Sequence, residues 1–146
     1  MKLSFIFLGK KKLESYDLLM SKYFKRLNSF INSDVLFINE KNNLKLEKKI
    51  STLLKSRDLL VVLDEKGIHM SSDKYAFFLN EKLKQFNTIF FLVGASYGVP
   101  LNIIKQANFT ISLSKMTLPH LIARLVLVEQ TYRALTILNN HPYHHE

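Results

Sequence analysis

The sequence predicts an α/β fold, a mostly parallel sheet of five to six strands with helices on both faces. Short apolar runs rich in Phe, Ile, Leu and Val alternate with longer stretches that carry apolar residues at helical spacing. No Pro/Gly/Ser-rich linker and no internal repeat interrupts the alternation. Strands that alternate with helices favour parallel pairing, because parallel neighbours need crossovers long enough to hold a helix.

Taken in order, Leu3 to Leu8 reads as the first strand and is followed by Gly9 and the basic run Lys10 to Lys12. Glu14 to Phe30 has helical periodicity, Val35 to Ile38 reads as a second strand, and Leu44 to Lys55 as a second helix. Leu59 to Leu63 and Ile89 to Val93 are continuous apolar runs, the pattern of strands covered on both faces. Ser72 to Phe86 is the helix between them. Phe109 to Leu113 forms a fifth strand, and Pro119 to Leu138 the last helix.

The chain has 146 residues, 47% of them hydrophobic, which suits one domain spanning residues 1–146. It has no cysteine, so a disulfide framework, a thiolate metal site and a cysteine nucleophile are excluded, in keeping with a reducing cytoplasm. The opening MKLSFIFLGKKK is read as a strand and not a secretory leader, since lysines stand where a cleavage region belongs. No segment approaches the roughly 20 apolar residues of a membrane-spanning helix, so a soluble protein with no membrane partner is expected. The formal charge of +9 points to a polyanion, nucleic acid first, because lysines and arginines facing phosphates release condensed counterions. A compositional lean toward Lys and Asn raises charge as well. Only four of the 21 basic residues are arginines, and Arg124 and Arg133 fall in the last helix.

In open α/β sheets ligands bind beyond the carboxyl ends of the strands. Three such ends stand out: Leu63-Asp64-Glu65-Lys66-Gly67, Val93-Gly94-Ala95-Ser96-Tyr97-Gly98 and Leu113-Ser114-Lys115-Met116-Thr117-Leu118. Parallel strands put all three on one edge, with Lys10 to Lys12 alongside. Gly94 and Gly98 flank a tight turn, either an ordinary βα connection or a close backbone approach to a ligand. The pattern is not GxGxxG, so a dinucleotide fingerprint is unsupported.

Thr117-Leu118-Pro119-His120 reads as a helix start, with Thr117 as the capping residue and Pro119 in the first turn. The helix that follows is apolar on several sides, which calls for two neighbours, the sheet and a second subunit. Glu129 and Arg133 stand four apart and can pair locally. Arg124 has no such sequence neighbour. The tail Asn139-Asn140-His141-Pro142-Tyr143-His144-His145-Glu146 could fray, hold a metal, or order over a substrate with Tyr143 or a histidine against a base. No metal site is expected.

These motifs, in this order, resemble the RlmH family of SPOUT methyltransferases. The resemblance rests on Leu63, Val93 to Gly98 and Leu113 to His120. It is strengthened by Arg124, Glu129-Gln130, Tyr132-Arg133-Ala134 and Asn140-His141-Pro142-Tyr143-His144. It covers essentially the whole chain. It implies a C-terminal deep trefoil knot, the SPOUT α/β knot, and a homodimer. The methyl donor would be S-adenosyl-L-methionine, held by Leu63, Gly94, Leu113, Ser114, Lys115, Met116, Thr117 and Leu118. The reaction would be methylation of N3 of a pseudouridine in large-subunit rRNA on assembled ribosomes, with no metal. His144, Tyr143 and Arg124 are the catalytic candidates, with Arg124 or Arg133 holding phosphate or the tail. Lys22, Lys25 and Arg26 could extend the RNA footprint. Two departures are visible. Ala95 stands where the family commonly has a second glycine, and would be strained at positive φ. His145 stands where arginine is frequent, which carries more charge at neutral pH. Two other readings of the residues are a non-catalytic RNA-binding module and a nucleotide-binding enzyme acting on a metabolite.

Overall fold

A computed structural model describes residues 1–11 and 14–145; Lys12 of the basic run and Glu146 of the tail lie outside the described residues. The elements are β1 (Lys2–Leu8), α1 (Glu14–Asn28), β2 (Asn32–Ile38), α2 (Asn43–Leu53), β3 (Asp58–His69), α3 (Ser72–Gln85), β4 (Thr88–Val93), α4 (Leu101–Gln106), β5 (Phe109–Ser112) and α5 (His120–Leu138). The five strands form one parallel sheet in the order β2-β1-β4-β3-β5.

Strand residues alternate between two cores, as the pleat requires. Leu3, Phe5 and Phe7 of β1 pack with Leu27 of α1, Leu79 of α3 and Leu127 and Val128 of α5. Ile6 and Leu8 face the other way, onto Leu46 and Ile50 of α2 and Ile103 of α4. Helices therefore cover both faces, and α5 is inserted between α1 and α3. Hydroxyls buried along α5 are satisfied within the core: Thr131 donates to the Leu127 carbonyl at 2.7 Å and meets the Tyr75 hydroxyl at 2.8 Å.

Two differences from the sequence reading matter for the site. First, β3 does not end at Leu63 but runs on to His69, with a register shift; Leu63 and Ile68 both pair with Ile111. Gly67 sits so close to β5 that a Cβ there would stand 2.7 Å from backbone atoms of Thr110 and Ile111. Second, Leu101–Gln106 forms the short helix α4, with Pro100 as its N-terminal boundary.

Candidate functional site at the carboxyl edge of the sheet

Register brings the three strand ends level. Leu63 lies between Val93 of β4 and Ile111 of β5, so Leu63, Gly94 and the segment beginning at Leu113 share one edge. The strand order reverses between β1 and β4, the switch point at which open α/β sheets bind ligands, and Gly94 follows β4 there. Gly94 is required by packing. A Cβ on it would stand 2.5 Å from the Gly98 carbonyl carbon and 2.9 Å from the Val99 nitrogen. The turn closes by a 2.8 Å hydrogen bond from the Gly98 amide to the Ala95 carbonyl, and Gly98 takes φ +80°. Ala95 is not at positive φ; among the described residues Asn140 is the one non-glycine that is. The missing second glycine therefore introduces no backbone strain.

The third loop is ordered by its own hydroxyls. Ser112 donates to the Ser114 carbonyl at 2.8 Å, and Ser114 Oγ accepts from the Met116 amide at 2.9 Å. Thr117 does not cap α5. Its hydroxyl donates to Glu65 at 2.8 Å, tying this loop to the β3 excursion, and Pro119 takes the N-cap position without a side-chain bond. Tyr97 is 99% exposed and Met116 77% exposed, so this edge presents uncovered aromatic and apolar surface. Lys10 and Lys11 are exposed after β1.

Arg124 is placed differently from the phosphate-holding role expected of it. Its side chain is buried, at 1% exposure. It donates to the carbonyls of Leu8 at 2.9 Å and Lys10 at 3.3 Å, and its guanidinium lies 5.1 Å from the Phe7 ring centre and 5.7 Å from that of Phe37. Burial pulls its pKa down, while Tyr16 and Asp17 oppose that shift. The arginine pins the end of β1 to α5.

Tyr143 and His144 gather elsewhere on α5. Arg133 stands nine positions beyond Arg124, about 14 Å along a helix axis. The tail turns at Asn140 (φ 54°) and folds back on α5. Tyr143 packs edge-on against Tyr132 with ring centres 4.7 Å apart and donates to Glu129 Oε1 at 2.9 Å. That oxygen also accepts from Arg133, through Nη2 at 2.7 Å and Nε at 3.1 Å. Burial, with hydrogen bonds to Tyr23 and Glu129, raises the Tyr143 pKa and keeps the phenol protonated. Arg133 Nη1 meets His144 Nδ1 at 3.0 Å. Because arginine only donates, Nδ1 accepts and the imidazole proton sits on Nε2. Nε2 is buried without a hydrogen-bond partner and faces Asp73 Oδ1 at 3.7 Å, beyond bonding distance. With Nδ1 accepting, the ring is neutral, so this contact is not an ion pair.

Between this tail and the Leu113 loop lies a cleft of about 280 Å³, lined by Met70, Ser71, Ser72, Tyr75, Ile111, Ser112, Leu113, Val126 and Gln130. It touches the three-loop edge at Leu113 but does not include Leu63 or Gly94. Neither the cleft nor Asp73 was read as functional from the sequence. Of the side chains that join them, Gln130 was visible only as part of a motif, and Glu129 as the local partner of Arg133. Among the described residues, no group of three or more His, Asp or Glu is placed to hold a metal. No helix among them is long and apolar enough to cross a membrane.

A parallel sheet whose strand ends meet on one edge at its switch point, a closed glycine turn and a helical C-terminus with a docked tail define the class: an open α/β protein with the edge at which such sheets bind ligands. Comparison with known proteins agrees. The family model described as "Predicted SPOUT methyltransferase" matches residues 1–144. A protein of Bacteroides thetaiotaomicron named "Ribosomal RNA large subunit methyltransferase H" is 37% identical over an alignment covering 100% of both chains. Proteins of the same name from Koribacter versatilis, 38% identical, and Malacoplasma penetrans, 36% identical, are matched over 98% or more of each chain. A solved structure titled "The structure of a probable methylase family protein from Haemophilus influenzae Rd KW20" has a similar fold, with a TM-score of 0.60 at 8% identity, covering 99% of this chain and 70% of that one. The chain belongs to the SPOUT methyltransferase family, in its RlmH branch.

Proposed function

We propose that this protein transfers the methyl group of S-adenosyl-L-methionine to N3 of a pseudouridine in large-subunit rRNA, acting on assembled ribosomes in the cytoplasm. The observation that carries this reading is the level placement of Leu63, Gly94 and the Leu113–Leu118 loop on one sheet edge, in a chain whose full-length relatives are rRNA large-subunit methyltransferases. The residues fit the cofactor. Gly94 lets the turn after β4 close tightly on itself at this edge, and Leu63, Leu113, Met116 and Leu118 offer apolar walls around backbone groups able to read an adenine. When bound, S-adenosyl-L-methionine supplies an activated methyl group.

The protein's own part is to bind, orient and favour loss of the N3 proton. His144, with its Nδ1 lone pair occupied by Arg133, carries at Nε2 a buried N–H that has no hydrogen-bond partner of its own. Its role is therefore to donate to a ring carbonyl as negative charge develops there, rather than to act as base. Tyr143, Arg133 and Glu129 hold the tail, and Arg124 holds the end of β1. Lys10 and Lys11, with Lys22 and Lys25 of α1, supply phosphate contacts.

The working unit is a homodimer. Leu18 and Leu19 of α1 and Ile122 of α5 are exposed at 66%, 41% and 45%, an apolar surface that a second copy would cover. The same reading includes a deep trefoil knot, with which the paired contacts of Leu63 and Ile68 to Ile111 are in keeping.

The test is transfer of labelled methyl to ribosomes from a strain lacking the modification, with free rRNA as control. Label on ribosomes supports the reading. Absence of label with cofactor binding verified overturns it.

A further inference from the structure

We infer that the cleft between α3, β5 and α5 is the pocket for the target base, and that Gln130 distinguishes pseudouridine from uridine by accepting a hydrogen bond from its N1–H. The inference rests on the methyl transfer proposed above and adds the residue that selects its substrate.

The cleft lies beside the Leu113 loop and is joined to the tail by a continuous polar circuit. Ser72 donates to Gln130 Oε1 at 2.6 Å, and Gln130 Nε2 donates to Glu129 Oε2 at 2.9 Å. Glu129 Oε1 holds Arg133 and Tyr143, Arg133 reaches His144, and His144 faces Asp73, the residue after Ser72. A base in this cleft would touch the expected cofactor loop at Leu113 and, at Gln130, the polar chain that ends on the tail.

The circuit also fixes which way the Gln130 amide points. A carboxylate only accepts, so the atom facing Glu129 is the NH₂, and the oxygen is the atom that receives the Ser72 hydroxyl. Each of these atoms has capacity left over. The carbonyl oxygen keeps one lone pair and the NH₂ one proton, side by side in a planar amide. That pair complements an adjacent N–H and C=O.

Pseudouridine presents such a pair at N1–H and C2=O, because its sugar is attached through carbon. Uridine has its sugar on N1 and offers no N–H there. Reading the N1–C2 edge also leaves N3 free on the far side of the carbonyl, where a methyl group must arrive. The remaining walls suit a flat ring: Met70, Ile111, Leu113 and Val126 are apolar, Tyr75 is aromatic with its hydroxyl engaged by Thr131, and Ser71 and Ser112 are polar. A volume of about 280 Å³ is at the small end for a ligand site, suiting one nucleoside rather than a larger ligand.

The experiment compares methyl transfer to ribosomes carrying pseudouridine or uridine at the target position, for wild type and Gln130→Leu, with cofactor affinity measured by calorimetry. The wild type is expected to prefer pseudouridine, and Gln130→Leu to reduce that preference by about tenfold or more, because a site built to hydrogen-bond a group discriminates strongly against its absence. Cofactor affinity is expected to be unchanged. A preserved preference overturns the role of Gln130, and a loss of cofactor affinity in the variant assigns the cleft to the cofactor instead. No transfer by the wild type to either substrate would overturn the underlying reading rather than this one. A second measurement does not depend on the variant folding. In wild-type protein saturated with S-adenosylhomocysteine, pseudouridine nucleoside is expected to shift the Gln130 side-chain amide resonances, and uridine to leave them in place; equal shifts by both contradict the inference.

Discussion

The guanidinium of Arg133 donates to Nδ1 of His144 at 3.0 Å while its other edge grips Glu129 at 2.7 and 3.1 Å. Glu129 is thus the anchor of the tail, and Glu129→Ala is expected to release it. The pair is part-exposed, so the cost is set at the low end for hydrogen bonds to a charged group, about 1.5 kcal/mol. Urea unfolding would read that loss, and hydrogen exchange at residues 141–145 should accelerate. Unchanged exchange would mean the tail is held by Tyr132 and Tyr143 packing alone.

Arg124→Met is expected to destabilise the fold by about 3 kcal/mol, since it leaves the buried carbonyl of Leu8 and the part-buried carbonyl of Lys10 without their donor. The midpoint of urea unfolding should fall. The salt dependence of ribosome binding should stay as it was, because a buried guanidinium releases no counterion. A flatter salt slope would restore Arg124 to the phosphate-binding surface.

Two glycine substitutions in one turn should separate packing from backbone conformation. Gly98→Ala meets nothing within 4 Å and is expected to cost about 1–2 kcal/mol through its positive φ alone. Gly94→Ala must push the turn open, and is expected to weaken S-adenosyl-L-methionine binding by about tenfold or more, equivalent to at least about 1.4 kcal/mol. Calorimetry and denaturation on both variants would check the pattern.

Alkaline stability follows from the tyrosines. Burial raises the pKa of Tyr16, Tyr75 and Tyr143 above the value near 10 of the unfolded chain. Below pH about 10 each phenol is neutral in both states, and its contribution to stability is fully present. As pH rises beyond that, the unfolded chain loses its protons first and stability falls. Tyr143→Phe should show a shallower decline than wild type between pH about 10 and 11.5 in urea unfolding, and the same slope at pH 7 to 9.

The sheet was legible because its inner strands are buried on both faces. Leu59 to Leu63 and Ile89 to Val93 could only be core strands flanked by helices. α4 was not, since six residues after Pro100 hold too few turns to display a period. The continuation of β3 was hidden because Asp64 to Gly67 has the composition of a turn, and its pairing to β5 is a contact distant in sequence. Arg124 looked unpartnered for a related reason: its acceptors are main-chain carbonyls 114 and 116 residues upstream, which no side-chain pattern records. Of the site, the three strand ends followed from the rule for open sheets. The docking of Tyr143 onto Glu129 depends on a reversal at Asn140 that side-chain spacing does not show.

The most direct measurement is the identity of the methylated nucleoside. Ribosomes lacking the modification would be incubated with the protein and labelled S-adenosyl-L-methionine, and the large-subunit rRNA digested and resolved by mass spectrometry. The expected result is label in a single species, N3-methylpseudouridine, reduced about a hundredfold or more by His144→Ala, a loss of the size seen when one transition-state donor is removed. Label in another nucleoside, or none from protein that binds the cofactor, would contradict the account.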